Sequence, residues 1–280
     1  MTAWGLARRS GARSSGARTP GTRSPGARIA YRAAATVLAL ALWQLAVVSG
    51  VVSAAAVAAP TGIVRAAGSL VASHAFGAAL LETIASWALG LLVSLLIAVP
   101  VGLALGSSDL AYRMSRFTID FLRTIPPVAL IPLVLLLYGA TPKMAFVLIV
   151  FGSTWPVLLQ AMYGVHQVDP AARDVARAYR LQRRDRIRSL ILPSAAPFIA
   201  TGIRLAATIS LLLAIGAELL GGAPGIGAAI TLQEQNGDIP QMWVYIVLSA
   251  ALGVIVNLTL IGLERRILTW HPAQRSMVAA

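Results

Sequence analysis

The sequence predicts an all-α membrane protein of about six transmembrane helices with both termini in the cytoplasm. Apolar residues make up 58% of the chain, the mean hydropathy is +0.77, and only 12% of residues are charged. A soluble core of this size cannot bury so much apolar surface. The apolar residues also fall into runs of about 20, the length of helix that crosses a hydrocarbon layer about 30 Å thick.

The apolar runs place the spans along a domain of residues 29–275. The third run is interrupted by Pro126, Pro127 and Pro132. Prolines are tolerated in a span where neighbouring helices satisfy the freed carbonyls, so this run is kept as a span. The predicted spans are residues 33–57, 83–106, 121–138, 144–163, 195–220 and 242–263.

The distribution of basic residues predicts the orientation of the spans. With six spans, the N-terminal segment, the loops after spans two and four, and the C-terminal segment share one side, and all four are rich in arginine. The opposite side has Arg65 and Lys143. The positive-inside rule therefore puts both termini in the cytoplasm. An odd number of spans would scatter the basic loops over both sides.

The first 28 residues differ from the rest in composition. Gly11, Gly16, Gly21 and Gly26 each precede an Ala-Arg or Thr-Arg pair, and the segment has no acidic residue. This composition predicts a disordered basic tail over residues 1–28. We interpret it as a solvated tail that reinforces the orientation. Binding of anionic lipid or nucleic acid through its arginines is the alternative, although no nucleic-acid partner is expected.

Several kinds of chemistry lack a motif in this chain. It has no cysteine, which excludes disulfides and thiolate metal sites. His74, His166 and His271 are not clustered, and neither a metalloprotease nor a serine-hydrolase motif occurs. Lys143 follows Pro142 rather than a glycine-rich loop, so no Walker motif is present to bind ATP. We therefore predict that the chain is not an enzyme and holds no cofactor or metal of its own.

Two charged residues lie within the fifth predicted span. Glu218 is near its outer end and Arg204 is in its inner third. An intramembrane charge is costly, so a functional role is the default hypothesis. Glu218 either lines or gates a pathway just before the glycine-rich segment 221–227, or it is a paired or snorkelling interface charge. For Arg204 we favour a stem that reaches the cytoplasmic headgroups.

The most informative segment is a polar stretch, residues 169–193, between two apolar spans. Asp169 is a good N-cap and Pro170 suits a first helical turn, so a short cytoplasmic helix is predicted. Val175 and Tyr179 are four residues apart and share one face. A short helix with a small apolar face is suited to a groove on a soluble partner. The alternative is an amphipathic helix on anionic lipid, which the arginines that follow it fit.

The stretch from Asp174 to Arg180, followed by Ile191-Leu192-Pro193, resembles the cytoplasmic Glu-Ala-Ala loop of binding-protein-dependent ABC importer permeases. Residues 121–133 are similar to the third-span segment of the permeases for aliphatic sulfonates, taurine and nitrate. Ala217-Glu218 with the glycines of 225–227 is similar to the end of their fifth span. The resemblance covers roughly residues 60–270.

This resemblance implies the type I ABC importer permease fold and a multi-pass protein of a prokaryotic plasma (inner) membrane. It implies as partners a cytoplasmic ATPase dimer that holds ATP and Mg, a second permease subunit, in the simplest case an identical one, and an external solute-binding protein. The implied coupling loop is residues 166–192, and its ATPase contacts are Asp174, Val175, Ala176, Ala178, Tyr179 and Arg180. The candidates for the pathway or gate are Glu218, Pro126 and Pro127.

Two residues depart from the family pattern. Asp174 stands where the family commonly has the longer Glu, and Arg180 stands where it has a glycine. That glycine makes the bend after the coupling helix. Because arginine disfavours a left-handed bend, we expect either a continuous helix or a different bend angle at Arg180.

Other function classes stay open from the residues alone. An ion-gradient-driven secondary transporter would need acidic groups in mid-span, and it leaves the cytoplasmic helix unexplained. A membrane enzyme or receptor would need convergent catalytic groups or another recognisable site. The substrate is also open: the resemblance suggests small anionic sulfur or nitrogen compounds, with a thiamine-precursor-type cargo as a rival.

Overall fold

The structure is a computed structural model that describes residues 25–268, without the side chains of 25–29, and the regular elements in this part are helical. Residues 1–24 of the predicted basic tail lie outside it, whereas residues 25–28 belong to the first helix. The helices are α1 Pro25–Val48, α2 Pro60–Leu70, α3 His74–Gly106, α4 Asp109–Leu122, α5 Ile131–Tyr138, α6 Pro142–His166, α7 Pro170–Ala178, α8 Arg183–Arg186, α9 Leu192–Gly221, α10 Ile226–Gln235 and α11 Ile239–Ile267. A 3-10 turn, Pro127–Leu130, precedes α5, and a π-helical turn, Ile187–Ile191, joins α8 to α9.

The number of spans agrees with the sequence. Five helical segments of the described chain are long and apolar enough to cross a membrane, and they contain α1, α3, α6, α9 and α11. A sixth is added if α4 and the helical segment Pro127–Tyr138 count as one broken span. The all-α fold with about six spans is thereby confirmed.

The third span is bent rather than continuous. The two arms, α4 and Pro127–Tyr138, meet at 66°. Pro126 has an extended backbone (φ −67°, ψ 119°) because the ring of the next proline disfavours the helical region at the preceding residue. The predicted span 121–138 therefore covers the end of one helix, a turn and a second helix.

Helix ends differ from the predicted spans where capping or turn residues decide them. Ser73 caps α3, since its Oγ accepts the N–H of Phe76 at 3.2 Å, and the helix begins well before the predicted residue 83. In the first span, α1 ends at Val48 and the chain turns at Gly50, which has φ +77°. Apolar runs mark what lies in lipid, but caps and left-handed residues mark where the helix begins and ends.

The helices α3, α6 and α9 form the centre of the fold, and small residues bring them together. A Cβ placed on Gly102 of α3 would lie 2.7 Å from the Cβ of Ala161 in α6. A Cβ on Gly164 of α6 would lie 2.8 Å from the Cα of Ala195 in α9. Since lipid tails are as apolar as leucine, helices in a membrane associate through such close packing. Gly102 and Gly106 thus belong to a tight helix contact.

An outer layer is built from α2, α10 and α11. In α9, Arg204 is paired with Glu264 of α11, so it is bound within the protein instead of reaching the headgroups as we expected. The helix α1 lies at the edge of the fold, where the Trp43 and Trp243 rings are 5.4 Å apart. The outer layer is therefore tied to the centre by an ion pair and by packing.

Candidate functional site

The polar segment folds into α7 with the predicted cap. The Asp169 carboxylate accepts the N–H of Ala171 at 2.8 Å, and Pro170 occupies the first turn. The Arg173 guanidinium donates to the carbonyl of Val165 at the end of α6. The first turn of α7 is thus attached to the membrane-spanning helix before it.

The two faces of α7 have different surroundings. Val175 and Tyr179 are 55% and 79% exposed, whereas Ala176 is 4% exposed. Helical geometry explains the difference, because Ala172, Arg173 and Ala176 share the inner face at spacings of three and four residues. Ala176 therefore packs inside the chain, which corrects the expectation that it meets a partner.

The outer face of α7 carries the remaining residues expected to contact the ATPase. Asp174, Ala178, Tyr179 and Arg180 are exposed, as is Val175. Asp174 is already paired with Arg177 one turn later, at 3.2 Å between Oδ1 and Nη1. The surface offered by α7 is thus a small apolar patch beside a neutralised charge pair.

Arg180 adopts the left-handed bend that we did not expect of an arginine. Its φ is +48°, and it is the non-glycine residue with positive φ in the described chain. The N–H of Leu181 bonds to the carbonyl of Ala176 at 3.0 Å, and that of Arg180 to Arg177 at 2.9 Å. These two bonds form a Schellman motif, which closes a helix with one left-handed residue. The helix end is retained although arginine replaces glycine, at a conformational cost of about 1–2 kcal/mol.

Glu218 lies at the other end of α9, about 40 Å along the helix from its start at a rise of 1.5 Å per residue. It is 0% exposed. Its Oε2 accepts the Thr83 hydroxyl of α3 at 2.9 Å and the N–H of Gly227 of α10 at 2.9 Å. Thr83 Oγ1 in turn accepts the N–H of Ile226 at 2.8 Å. In this chain, therefore, Glu218 joins three helices and does not line open space.

The turn between α9 and α10 is shaped around this carboxylate. Gly225 has φ +151°, a conformation that favours glycine. A Cβ on Gly225 would overlap the Glu218 carboxyl group. The glycine-rich segment thus lets the backbone close over a buried acid. Among described residues, Glu218 Oε1 has no hydrogen-bond partner.

The Pro126-Pro127 break is separate from Glu218. A Cβ on Gly152 of α6 would lie 3.0 Å from the Pro127 ring, and it would also overlap Leu213 of α9. The break therefore packs on the central helices, and neither proline bonds to Glu218. No group of three potential metal-ligating side chains occurs among residues 25–268.

Sequence reasoning missed Thr83 and the glycine backbone as partners of Glu218. Thr83 is 135 residues away in the chain and lay at the edge of a predicted span. The run Gly221-Gly222-Ala223-Pro224-Gly225-Ile226-Gly227 was the available signal. It marks backbone that approaches closely, but not the group that it approaches.

We expect Thr83→Val to lower the free energy of unfolding by about 2 kcal/mol, because it leaves the buried Ile226 N–H without an acceptor and removes one of the two hydrogen bonds to Glu218 Oε2. The measurement is thermal unfolding of the purified chain in detergent. Thr208→Val is the matched control, since that exposed hydroxyl bonds only to the carbonyl of Arg204 in its own helix. Equal midpoints for the two variants would contradict the network.

We expect Arg180→Gly to stabilise the end of α7 by about 1 kcal/mol, because glycine adopts the left-handed conformation without the clash of a Cβ. Hydrogen exchange of the peptide that contains Leu181 should slow accordingly. Ala178→Gly, in the right-handed last turn of α7, is the control and should speed exchange. Faster exchange in Arg180→Gly would show that the turn is not strained.

The sequence and the fold of this chain are similar to those of known proteins. The family described as binding-protein-dependent transport system inner membrane component matches residues 98–269. The aliphatic sulfonates transport permease SsuC of Bacillus subtilis is 31% identical over 232 residues, which is 83% of this chain and 84% of SsuC. The match therefore extends over most of both proteins.

Two further permeases are similar over shorter stretches. The nitrate import permease NrtB of Leptolyngbya laminosa is 28% identical over 170 residues, 61% of each protein. The bicarbonate transport system permease CmpB of Synechococcus elongatus is 30% identical over 191 residues, 67% of this chain and 69% of CmpB. The relatives thus include the sulfonate and nitrate permeases that the motifs indicated.

A solved structure has the same fold. The inward-facing MetNI methionine ABC transporter superposes with a TM-score of 0.57 at 18% identity, covering 69% of this chain and 94% of the matched chain. The order of the helices and the sequence relatives lead to one conclusion. The chain belongs to the family of binding-protein-dependent transport system inner membrane components and is a permease with the type I ABC importer fold.

Proposed function

We propose that this permease imports a small oxyanion, driven by a separate ATPase that docks on the outer face of α7. Docking is supported by one observation: α7 is a short helix that is held at both ends and exposes Val175 and Tyr179. Asp169 and Arg173 fasten its start, and the left-handed turn at Arg180 closes its end. A fastened helix transmits a push from a partner to the spans, whereas a loose loop would absorb it.

The class of substrate is inferred from the relatives. Their names specify aliphatic sulfonates, nitrate and bicarbonate, which are small anions with oxygen atoms around one sulfur, nitrogen or carbon atom. Taurine, a sulfonate with an amino group, falls in the same range. We assign the choice among these anions to an external binding protein that delivers the solute.

The charges of the fifth span are consistent with a pathway that does not trap an anion. Arg204, the basic residue within α9, is paired with Glu264. A site that is to release its ion must bind it weakly enough to let it leave. An unpaired guanidinium in the membrane would oppose release, and this pairing avoids it.

The working assembly that we propose has two copies of this chain, two ATPase subunits that hold ATP and Mg, and the binding protein outside. The arginine-rich loops and both termini face the cytoplasm of a prokaryotic cell. Closure of the ATPase pair moves the two α7 helices, and the bundles rock between inward- and outward-facing states. In this assembly ATP is hydrolysed on the ATPase subunits.

We expect Tyr179→Ala to weaken co-purification of the ATPase about thirtyfold, because loss of an anchoring aromatic side chain at an interface costs about 2 kcal/mol. Thermal stability of the permease should not change, since Tyr179 is 79% exposed. Phe117→Ala, which removes an aromatic side chain that is 81% exposed on α4, is the control. An unchanged ATPase yield in Tyr179→Ala would contradict docking on this face.

The transport activity itself is tested in vesicles that contain the permease, its co-purified ATPase and the binding protein. We expect uptake of methanesulfonate, taurine, nitrate or bicarbonate with ATP inside, and none with a non-hydrolysable ATP analogue. Mutual competition identifies the preferred anion. Uptake by the permease alone on a proton or sodium gradient would instead establish an ion-driven secondary transporter.

A further inference from the structure

The helix α4 has three faces of different character. Its inner face packs on the protein, where Ile119 belongs to the buried cluster that includes Ala98 of α3 and Val157 of α6. A second face is apolar and exposed, and it carries Leu110, Met114, Phe117 and Phe121. The third face is charged, and it carries Asp109, Arg113, Arg116, Asp120 and Arg123. Within each set the residues are three or four apart, so each set lies along one side of the helix.

Two contacts give the depth of α4 beside α6. At the start of α4, the rings of Tyr112 and His166 are 4.4 Å apart, and His166 is the last residue of α6. Just beyond the end of α4, a Cβ on Gly152 would lie 3.0 Å from the Pro127 ring. Gly152 is about 21 Å along α6 from His166 at a rise of 1.5 Å per residue. The helix α4 therefore runs beside the half of α6 that leads to α7, and it does not lie flat on the membrane surface.

The charged face of α4 consequently extends into the membrane. Arg123, at the end nearest Pro127, lies deepest. The side chains of Arg116, Asp120 and Arg123 are between 43% and 65% exposed, and among the described residues no ion pair joins them to another helix. Charged groups inside a span face protein or a water-filled cavity, because contact with hydrocarbon is costly. The apolar face is the side of α4 that suits lipid, so the charged face needs a different neighbour.

The charges on this face are only partly neutralised. The Asp120 Oδ1 accepts Arg123 Nε at 3.0 Å, and its Oδ2 is 3.7 Å from Arg116 Nε. One carboxylate is thus shared by two guanidinium groups, each of which has five N–H donors. Arg113 has no ion-pair partner among the described residues. The face therefore presents free donors and a net positive charge, with an aspartate between two of the arginines.

We propose that the charged face of α4 lines the half of the translocation pathway that leads to α7, and that Arg116, Asp120 and Arg123 form a transient site for the imported anion. This inference rests on the proposed import of a small oxyanion. The two arginines donate to the oxygen atoms of the anion. Asp120 competes for the same donors, so the anion is held weakly enough to leave.

The wall opposite this face is a second copy of the chain, because no described part of the same chain covers it. Each copy of α4 then presents more arginine than aspartate to the pathway. Two such faces repel each other when they are in direct contact, whereas a water-filled gap that admits an anion satisfies both.

Depth excludes a lipid headgroup as the main partner of this face. A phosphate at the membrane border reaches Arg113, which is next to Tyr112 and hence near the end of α6. Arg123 lies near the depth of Gly152, in the middle part of α6, where headgroups are absent. A small solute that passes through the membrane reaches both depths.

The first test is cysteine accessibility, since the natural chain has no cysteine. The full transporter in inside-out vesicles is treated with sulfonatoethyl methanethiosulfonate, an anionic thiol reagent that does not cross lipid. We expect Arg116→Cys and Arg123→Cys to be labelled. The matched controls Phe117→Cys and Phe121→Cys lie at the same depth on the apolar face, and we expect no labelling there.

Nucleotide distinguishes a pathway from an exposed surface. A non-hydrolysable ATP analogue, which closes the ATPase pair, should abolish labelling of Arg123→Cys but not of Arg113→Cys at the membrane border. Equal labelling of the charged and apolar faces would overturn the proposal, and so would labelling of Arg123→Cys that nucleotide does not change. Absence of labelling in both Arg116→Cys and Arg123→Cys would also overturn it, because the face would then be buried against protein.

The second test is the KM for ATP-driven uptake of methanesulfonate by the same vesicles. Arg123→Gln should raise the KM about tenfold through loss of a hydrogen bond to a charged group, and Arg123→Lys should restore most of the affinity. Asp120→Asn should lower both the KM and the maximal rate, because the two arginines then hold the anion more firmly. A purely structural ion pair predicts KM changes of the same sign in Arg123→Gln and Asp120→Asn, and that result would contradict the site.

The two tests separate this inference from the function on which it rests. Wild-type vesicles that take up none of the candidate anions would contradict the proposed import of an oxyanion. The labelling pattern needs no transported solute, so it would still show whether the charged face of α4 lines a pathway.

Discussion

The close approach of α3, α6 and α9 is the constraint on which the rest of this structure depends. A bilayer supplies no hydrophobic force between helices, so their backbones must come near enough for dense packing. Gly102 faces Ala161, and Gly164 faces Ala195, at distances that admit no larger side chain. With these three helices placed, the broken third span, the α7 loop and the outer layer have fixed surfaces to pack against.

Polar groups inside the membrane are used to join helices, because each one left alone would be costly there. Ser153 donates to Ser94 across α6 and α3, and Trp87 of α3 donates to the carbonyl of Ala207 in α9. Glu218, near the end of α9, does the same with Thr83 and the α10 backbone. Buried hydrogen bonds therefore hold the end of the permease where the chain reverses between α9 and α10.

The opposite end, which carries α7, is built differently, with apolar and basic side chains exposed. On α7, apolar Val175 and Tyr179 face outward from a helix that is fastened at both ends. On the next segment, Arg183 and Arg186 border a cavity beside the last turns of α3. One loop thus presents an exposed apolar face and a group of arginines in succession. Movement imposed on α7 must pass through this basic segment to reach α9.

The sequence by itself determined the class of protein, the number and order of its apolar segments, and the capped helix at Asp169, because those signals are local. An apolar run, a proline or a capping carboxylate each affects the conformation of only the few residues next to it. Local signals also placed the interruption of the third span, but not its 66° bend. The sequence did not determine which face of α7 is buried, since that depends on which other parts of the chain pack against the helix.

Only the tertiary structure decided the surroundings of Glu218 and the inward face of α7. Glu218 meets Thr83 across 135 residues, and no local pattern encodes that meeting. Ala176 is buried because the rest of the fold lies beneath that face of α7, whereas the left-handed turn at Arg180 is closed by local bonds from Leu181 to Ala176 and from Arg180 to Arg177. In both cases the fold supplies a neighbour that the adjacent sequence lacks, and a buried polar group without such a neighbour would be costly.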